Sequence, residues 1–191
     1  MKDITGIILS GGKSLRMGTD KAFLKINGKL LIEHTIDLFN TLFAEILISA
    51  NSEKYQQFGF EVIKDKIPDC GPLGGIYSSI KHSKNTWNVV ISCDTPFVSK
   101  GLITRLTKNI GNYDCIAPIH DGIREPLVAL YNKSCLPVIS ENLKAGIYKM
   151  HFQLEKLNCK YVDVLDLVQN NPKLFANINS PEHISIMKIE N

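Results

Sequence analysis

Three glycines and three cations crowd one short stretch of this 191-residue chain: Gly11, Gly12 and Gly18 interleave with Lys13, Arg16 and Lys21. Glycine opens backbone torsions closed to other residues, so main-chain N–H groups can turn inward onto negative oxygens. The cations add fixed positive charge. Two carboxylates further along, Asp65 and Asp94, each close an apolar run. Such a set can hold a polyphosphate, with Asp94 suited to Mg²⁺ as a hard oxygen ligand. A turn that is basic by accident is the competing reading, but a turn does not need so many glycines and cations between Gly11 and Lys21.

Two familiar phosphate loops fail on spacing. A Walker loop ending at Gly12-Lys13-Ser14 requires glycine five residues before Gly12, where Ile7 stands. A dinucleotide fingerprint starting at Gly11 requires glycine where Lys13 stands. The five histidines form no H-x-x-x-H pair, so no catalytic metal cage is implied, and His120 reads most simply as a surface loop residue. A Ser/His/Asp arrangement is also absent, although transfer of a phosphoryl group to an ionised phosphate does not require one.

The elements that must position these groups follow from patterning. Ile4 to Leu9 is an apolar run without polar alternation, as expected of a buried parallel strand. Asn27-Gly28 predicts a tight hairpin, and Ile32, Ile36, Phe39 and Phe43 recur at helical spacing. Strands are expected at Glu45 to Ala50, Phe60 to Lys64 and Asn88 to Cys93, with Ser52 capping a short helix to Phe58. Pro72 opens a helix through His82. Gly74 and Gly75 weaken its first turns, which points to close approach, either to the sheet or to a ligand. Ligands of open α/β sheets sit beyond the carboxyl ends of strands, so Gly11, Asp65 and Asp94 are expected on one rim. Ser99, not Asp94, is placed to cap the helix carrying Leu102, Ile103, Leu106 and Ile110.

Beyond Asp114, strands are expected at Cys115 to Ile119, Leu127 to Tyr131 and Tyr161 to Val164, and helices from Ser134 to Leu143 and from Lys149 to Leu157. Gln169-Asn170-Asn171-Pro172 reads as a turn, and Ser180-Pro181 opens a short terminal helix. The alternation of strands and helices predicts an α/β fold, a three-layer α/β/α sandwich around a mostly parallel sheet. Residues 1–191 are taken as a single domain, since the length suits one core.

A net charge of +3 from 22 basic and 19 acidic side chains is too small and scattered to argue for nucleic acid. Five cysteines without a C-x-x-C pair suit reduced thiols in a cytoplasmic protein better than a disulfide framework or zinc site. No apolar stretch approaches the ~20 residues of a membrane span, and no secretory leader opens the sequence.

The stretch Leu9-Ser10-Gly11-Gly12-x-Ser14-x-Arg16-Met17-Gly18-x-Asp20-Lys21 resembles the signature of nucleotidyltransferases that activate sugars, polyols and pterins, most closely the molybdenum cofactor guanylyltransferases. The usual opening there is Leu-Ala-Gly-Gly, so Ser10 is a departure at a position that contributes mainly backbone. CTP-using relatives tend to have Leu-Ala-Ala-Gly, which places Gly11 on the guanylyl side. The resemblance implies a Rossmann-like fold of the nucleotide-diphospho-sugar transferase type. It implies transfer of GMP from GTP to molybdopterin cofactor, with release of pyrophosphate. The GTP contacts implied are Leu9, Ser10, Gly11, Gly12, Lys21, Asp65 and Asp94. Arg16, Lys21 and Asp94 would be catalytic, Asp94 would hold Mg²⁺, and Asn177 and Asn179 would lie at the pterin. A Gly-Pro-Leu-x-Gly-Ile element beside the family's nucleotide favours ligand contact for Gly74 and Gly75. Ser49 stands where some members have asparagine. Transient contact with cofactor-insertion and molybdoenzyme proteins is a further expectation. The rival readings are a CTP-dependent pterin or sugar-phosphate transferase of the same fold, and a non-catalytic nucleotide-binding cofactor carrier.

Overall fold

A computed structural model describes residues 1–11 and 20–179. The expectations on Gly12, Lys13, Arg16, Gly18 and the helix opening at Ser180-Pro181 lie outside those residues. Strand β1, Ile4–Leu9, is buried along its whole length. Its Gly6 is dictated by packing, because a Cβ there would stand 2.5 Å from the Phe39 ring and 2.8 Å from Phe43.

A two-stranded hairpin follows, β2 at Lys25–Ile26 and β3 at Lys29–Leu30, turning through Asn27 and Gly28 at φ 51° and 80°. Helix α1, Leu31–Asn40, starts where Glu33 Oε2 accepts the Leu30 N–H at 2.8 Å. It buries Leu31, Ile32, Ile36 and Phe39, while Asp37 pairs with Lys29 on its outer face. Strand β4 is Glu45–Ser49, and the expected short helix from Ser52 is a 3₁₀ helix over Glu53–Phe58. Strand β5 spans Glu61–Ile63, and helix α2 occupies Pro72–His82, the predicted bounds.

Strand β6 is Trp87–Ser92, and α3 is Lys100–Thr107, capped as expected by the Ser99 hydroxyl accepting the Leu102 N–H at 3.2 Å. Strand β7, Cys115–His120, turns into a two-residue strand β8, Ile123–Arg124, which the sequence reading did not contain. Strand β9, Val128–Asn132, leads to α4, Leu136–Lys144, and α5, Met150–Lys156. Strand β10 is Cys159–Asp163. A further helix α6, Leu165–Asn170, runs through half of the amide cluster read as a turn, which is a correction. Leu167 and Val168 rest half-buried against the layer formed with α1 and α3, but six residues are too few for a helical period to show in the sequence.

The main sheet has the order β10-β7-β9-β6-β1-β4-β5, with β8 on β7. All neighbours of β1 are parallel to it, and β9 alone among the longer strands runs antiparallel, between β6 and β7. The sheet is thus mostly parallel with helices on both faces. Side chains alternate between the faces: Ile4 and Ile8 join the layer formed with α1 and α3, while Ile7 and Leu9 join the layer formed with α2, α4 and α5. All five cysteines are free thiols. No helix among the described residues is long and apolar enough to cross a membrane.

Candidate functional site

The carboxyl ends of β1, β4, β5 and β6 lie on one rim, as the parallel registers require. β1 stops at Leu9, and the Ser10 N–H continues the ladder by donating to Ser49 O at 2.9 Å. Gly11 then adopts φ +112°, a backbone region that favours glycine, with nothing within 4 Å of where its Cβ would stand. β6 ends at Ser92, whose hydroxyl donates to Asp94 Oδ1 at 2.6 Å and so orients the carboxylate.

Lys21 opens a single 3₁₀ turn, Lys21–Phe23. Asp20 caps that turn: Oδ1 accepts the Ala22 N–H at 3.3 Å, and Oδ2 accepts the Tyr55 hydroxyl at 2.8 Å. Burial, then the neighbouring Cys93 and Asp20, push the Tyr55 phenol far above its usual range, so it stays a proton donor to Asp20. Lys21 Nζ consequently stands 4.0 Å from Asp94 Oδ2 and donates to Asn179 Oδ1 at 2.6 Å.

Leu9, Gly11, Asp20, Lys21, Pro72 and Asp94 line one cleft of about 150 Å³, together with Ser92, Cys93 and Leu127. Burial pushes the Cys93 thiol up to about 12, so it stays protonated at neutral pH and is no nucleophile. Two carboxylates beside one ammonium, open to a small cavity, offer oxygen donors for a hard cation and positive charge for phosphate oxygens. Magnesium is commonly bound through one or two carboxylates plus waters and phosphate oxygens, and the Asp94 carboxylate in the cleft suits that role, while both Asp20 oxygens already accept hydrogen bonds. Among the described residues no cluster of three or more His, Cys, Asp or Glu could hold a metal by itself.

Not every expected site residue lines this cleft. Ser10 is buried, and its hydroxyl lies beside Tyr55 and the cleft residue Cys93. Asp65 follows β5, two strands from β1, and is held by Asn51: the Asn51 amide donates to Asp65 Oδ2 at 3.2 Å, and the Asp65 N–H donates to Asn51 Oδ1 at 2.9 Å. The sequence reading missed Asn51, which belongs to a loop whose pairing with Asp65 is set only by the β4–β5 neighbourhood. Asn179 meets Lys21, and Asn177 lies two residues before it in the same segment.

Gly74 and Gly75 are explained by packing. Both are buried, and a Cβ on Gly75 would stand 2.4 Å from Ser49 Oγ and 3.3 Å from Asp65 Oδ1. Gly75→Ala is therefore expected to lower stability by about 1–3 kcal/mol, with part of the loss recovered by Ser49→Ala. Denaturant titration of the single and double variants checks this. His120 also differs from the surface reading. It ends β7 with its side chain 11% exposed, its Nε2 3.1 Å from Glu125 Oε1, and its ring stacked on Phe175.

Burial raises the Asp65 carboxyl above its usual 3.8, against a smaller opposing effect of the Asn51 amide. The folded chain thus holds this proton to higher pH than the unfolded chain does, so the ionised carboxylate destabilises the fold and stability falls as pH rises through the raised value. Asp65→Asn is expected to raise the unfolding midpoint at pH 7, with the gain shrinking as pH drops toward 3.8. Urea titrations across that range give the comparison. A variant that is more stable yet impaired would mark Asp65 as kept for function.

A mostly parallel sheet that brings a glycine turn, a lysine and a carboxylate to one cleft on its carboxyl rim defines a class: α/β domains that handle nucleoside phosphates. Comparison with known proteins narrows it. A model of the MobA-like NTP transferase domain matches residues 6–157, and the chain belongs to that family. It is 35% identical over 184 residues to a molybdenum cofactor guanylyltransferase of Vibrio parahaemolyticus, covering 94% of this chain and 92% of the relative. Molybdopterin-guanine dinucleotide biosynthesis protein A of Archaeoglobus fulgidus superposes with a TM-score of 0.80 at 27% identity, covering 95% of each chain. A 2-C-methyl-D-erythritol 4-phosphate cytidylyltransferase of Thermus thermophilus shares the fold, with a TM-score of 0.70 at 14% identity over 96% of each chain.

Proposed function

We infer that this protein transfers GMP from GTP to the terminal phosphate of molybdopterin cofactor and releases pyrophosphate. The observation that carries the reading is the cleft in which Lys21 faces Asp94 beside the Gly11 turn, within a family whose similar members are named for this reaction. An oxygen of the acceptor phosphate forms a bond to the α-phosphorus of GTP, and the bond from that phosphorus to the bridging oxygen of pyrophosphate breaks. The nucleophile is already ionised, so no general base is needed. The rate depends on holding two anions in line and neutralising the charge that develops.

Lys21 supplies a positive charge at the phosphates from a turn fixed by Asp20 and Tyr55. Gly11 lets the backbone approach the nucleotide, and Leu9 forms the cleft wall. Asp94, with its carboxylate oriented by Ser92, would hold Mg²⁺, which when bound supplies further charge neutralisation at phosphate oxygens. Gly12 and Arg16, from the signature itself, would complete the phosphate cradle, and Asp65 would contact the nucleoside. Asn177 and Asn179 would lie toward the acceptor. Molybdopterin cofactor is thus the second substrate, and transient contact with proteins that insert the cofactor or receive it would follow transfer.

Initial rates of pyrophosphate release with molybdopterin and each of GTP, CTP, ATP and UTP test the substrate assignment. GTP is expected to be preferred. Preference for CTP would move the function to the cytidylyl relatives, and binding without release would make the protein a carrier.

A further inference from the structure

Residues 171–179 cross the sheet rim as a strap fastened at several points. Leu174 is buried in the layer formed with α1 and α3, and Phe175 stacks on His120 with ring centroids 4.9 Å apart and planes within 2°. Three residues on, Ile178 is fully buried with Ile26 and Leu31, and its N–H donates to Asp94 O at 2.8 Å. Asn179 then reaches Lys21 Nζ. The strap therefore touches the backbone of the carboxylate residue and the side chain of the lysine that define the cleft. Its last fastening before them is the His120 ring, itself held by Glu125 Oε1 at 3.1 Å from the loop between β8 and β9.

We propose that His120 is a positioning residue for the transfer reaction: its ring, oriented by Glu125, seats Phe175 and so delivers Ile178 to Asp94 and Asn179 to Lys21. His120 is not among the residues lining the cleft and acts through the strap. Asn179 lies four positions after Phe175, a span of at most about 14 Å for extended chain, so release of the ring loosens the segment that meets Lys21. Glutamate fixes which way the imidazole faces, and stacking converts that orientation into a position for the strap.

The inference rests on the proposed reaction for its kinetic part only, and the test separates the two. In His120→Ala, amide hydrogen exchange at Ile178 is expected to be at least about 2-fold faster than in the wild type, the lower end of what losing an aromatic pair allows. His120→Phe, which keeps a stacking ring but loses the Glu125 contact that orients it, is expected to exchange at a rate between those of the wild type and His120→Ala. In the transfer assay, His120→Ala is expected to lower kcat/KM about 3- to 10-fold. The same change made in an Asn179→Ala background is expected to cost less than about 2-fold, because the contact it serves is already gone.

Unchanged exchange at Ile178 in His120→Ala overturns the proposal. So does an equal kinetic loss with and without Asn179, which would make the stack a general stabiliser. If the wild-type protein shows no transfer at all, the proposed function fails and the kinetic part of the proposal with it, while the exchange at Ile178 still decides whether His120 seats the strap on Asp94.

Discussion

Lys21→Ala is expected to reduce turnover by about 10²-fold or more while leaving the thermal midpoint near that of the wild type. The Lys21 side chain is 28% exposed, its contacts are polar, and it sits at the edge of the cleft, so its removal opens no core cavity. A surface lysine paired at 4.0 Å contributes little to folding. A lysine whose charge meets phosphate oxygens as negative charge develops contributes to the rate. Arginine is expected to be a poor substitute, because a planar fork cannot take the place of a compact ammonium between Asn179 and Asp94. Steady-state kinetics beside calorimetry distinguishes the two roles, and turnover like the wild type would remove Lys21 from the mechanism.

The second large effect is expected at Asp94. Asp94→Asn keeps the shape, lets the amide oxygen accept from Ser92, and leaves the backbone bond from Ile178 in place, so folding is expected to be little changed. What it removes is the anionic oxygen facing Lys21 and the cleft. If that oxygen holds Mg²⁺, turnover falls by about 10²-fold or more, and the Mg²⁺ concentration for half-maximal rate rises. Chelation is expected to abolish wild-type activity, and added Mg²⁺ to restore it. An unchanged Mg²⁺ dependence in the variant would place the metal elsewhere.

The parts of this fold that depend on local pattern were legible in the sequence. The run Ile4 to Leu9 is buried on both faces, and α2 spans Pro72–His82, opening where the proline indicates. Gly11 and Asp94 reached the same rim because parallel strands end on one side, a consequence of topology and not of contact. Strand polarity was harder to read. Val128–Asn132 is as buried as β6 and β7 on either side of it, so apolar runs alone did not reveal that β9 is antiparallel.

Non-local pairs were invisible. Asn51 holds Asp65 from a different loop, and His120 meets Phe175 across 55 positions of chain. Neither pair leaves a spacing signal. Gly74 and Gly75 show a further ambiguity. A glycine demanded by a neighbouring helix or sheet looks the same in sequence as one demanded by a ligand, and only the 2.4 Å approach of Ser49 Oγ identifies packing as the reason at Gly75.

The most direct measurement follows both products at once: the wild-type protein incubated with GTP, Mg²⁺ and molybdopterin cofactor, with pyrophosphate quantified and the pterin product identified by mass. The expected result is one pyrophosphate for each guanine dinucleotide formed, and neither product when the pterin is omitted. Pyrophosphate without dinucleotide, or a pterin recovered unchanged after complete GTP binding, would contradict the assignment of this cleft to guanylyl transfer.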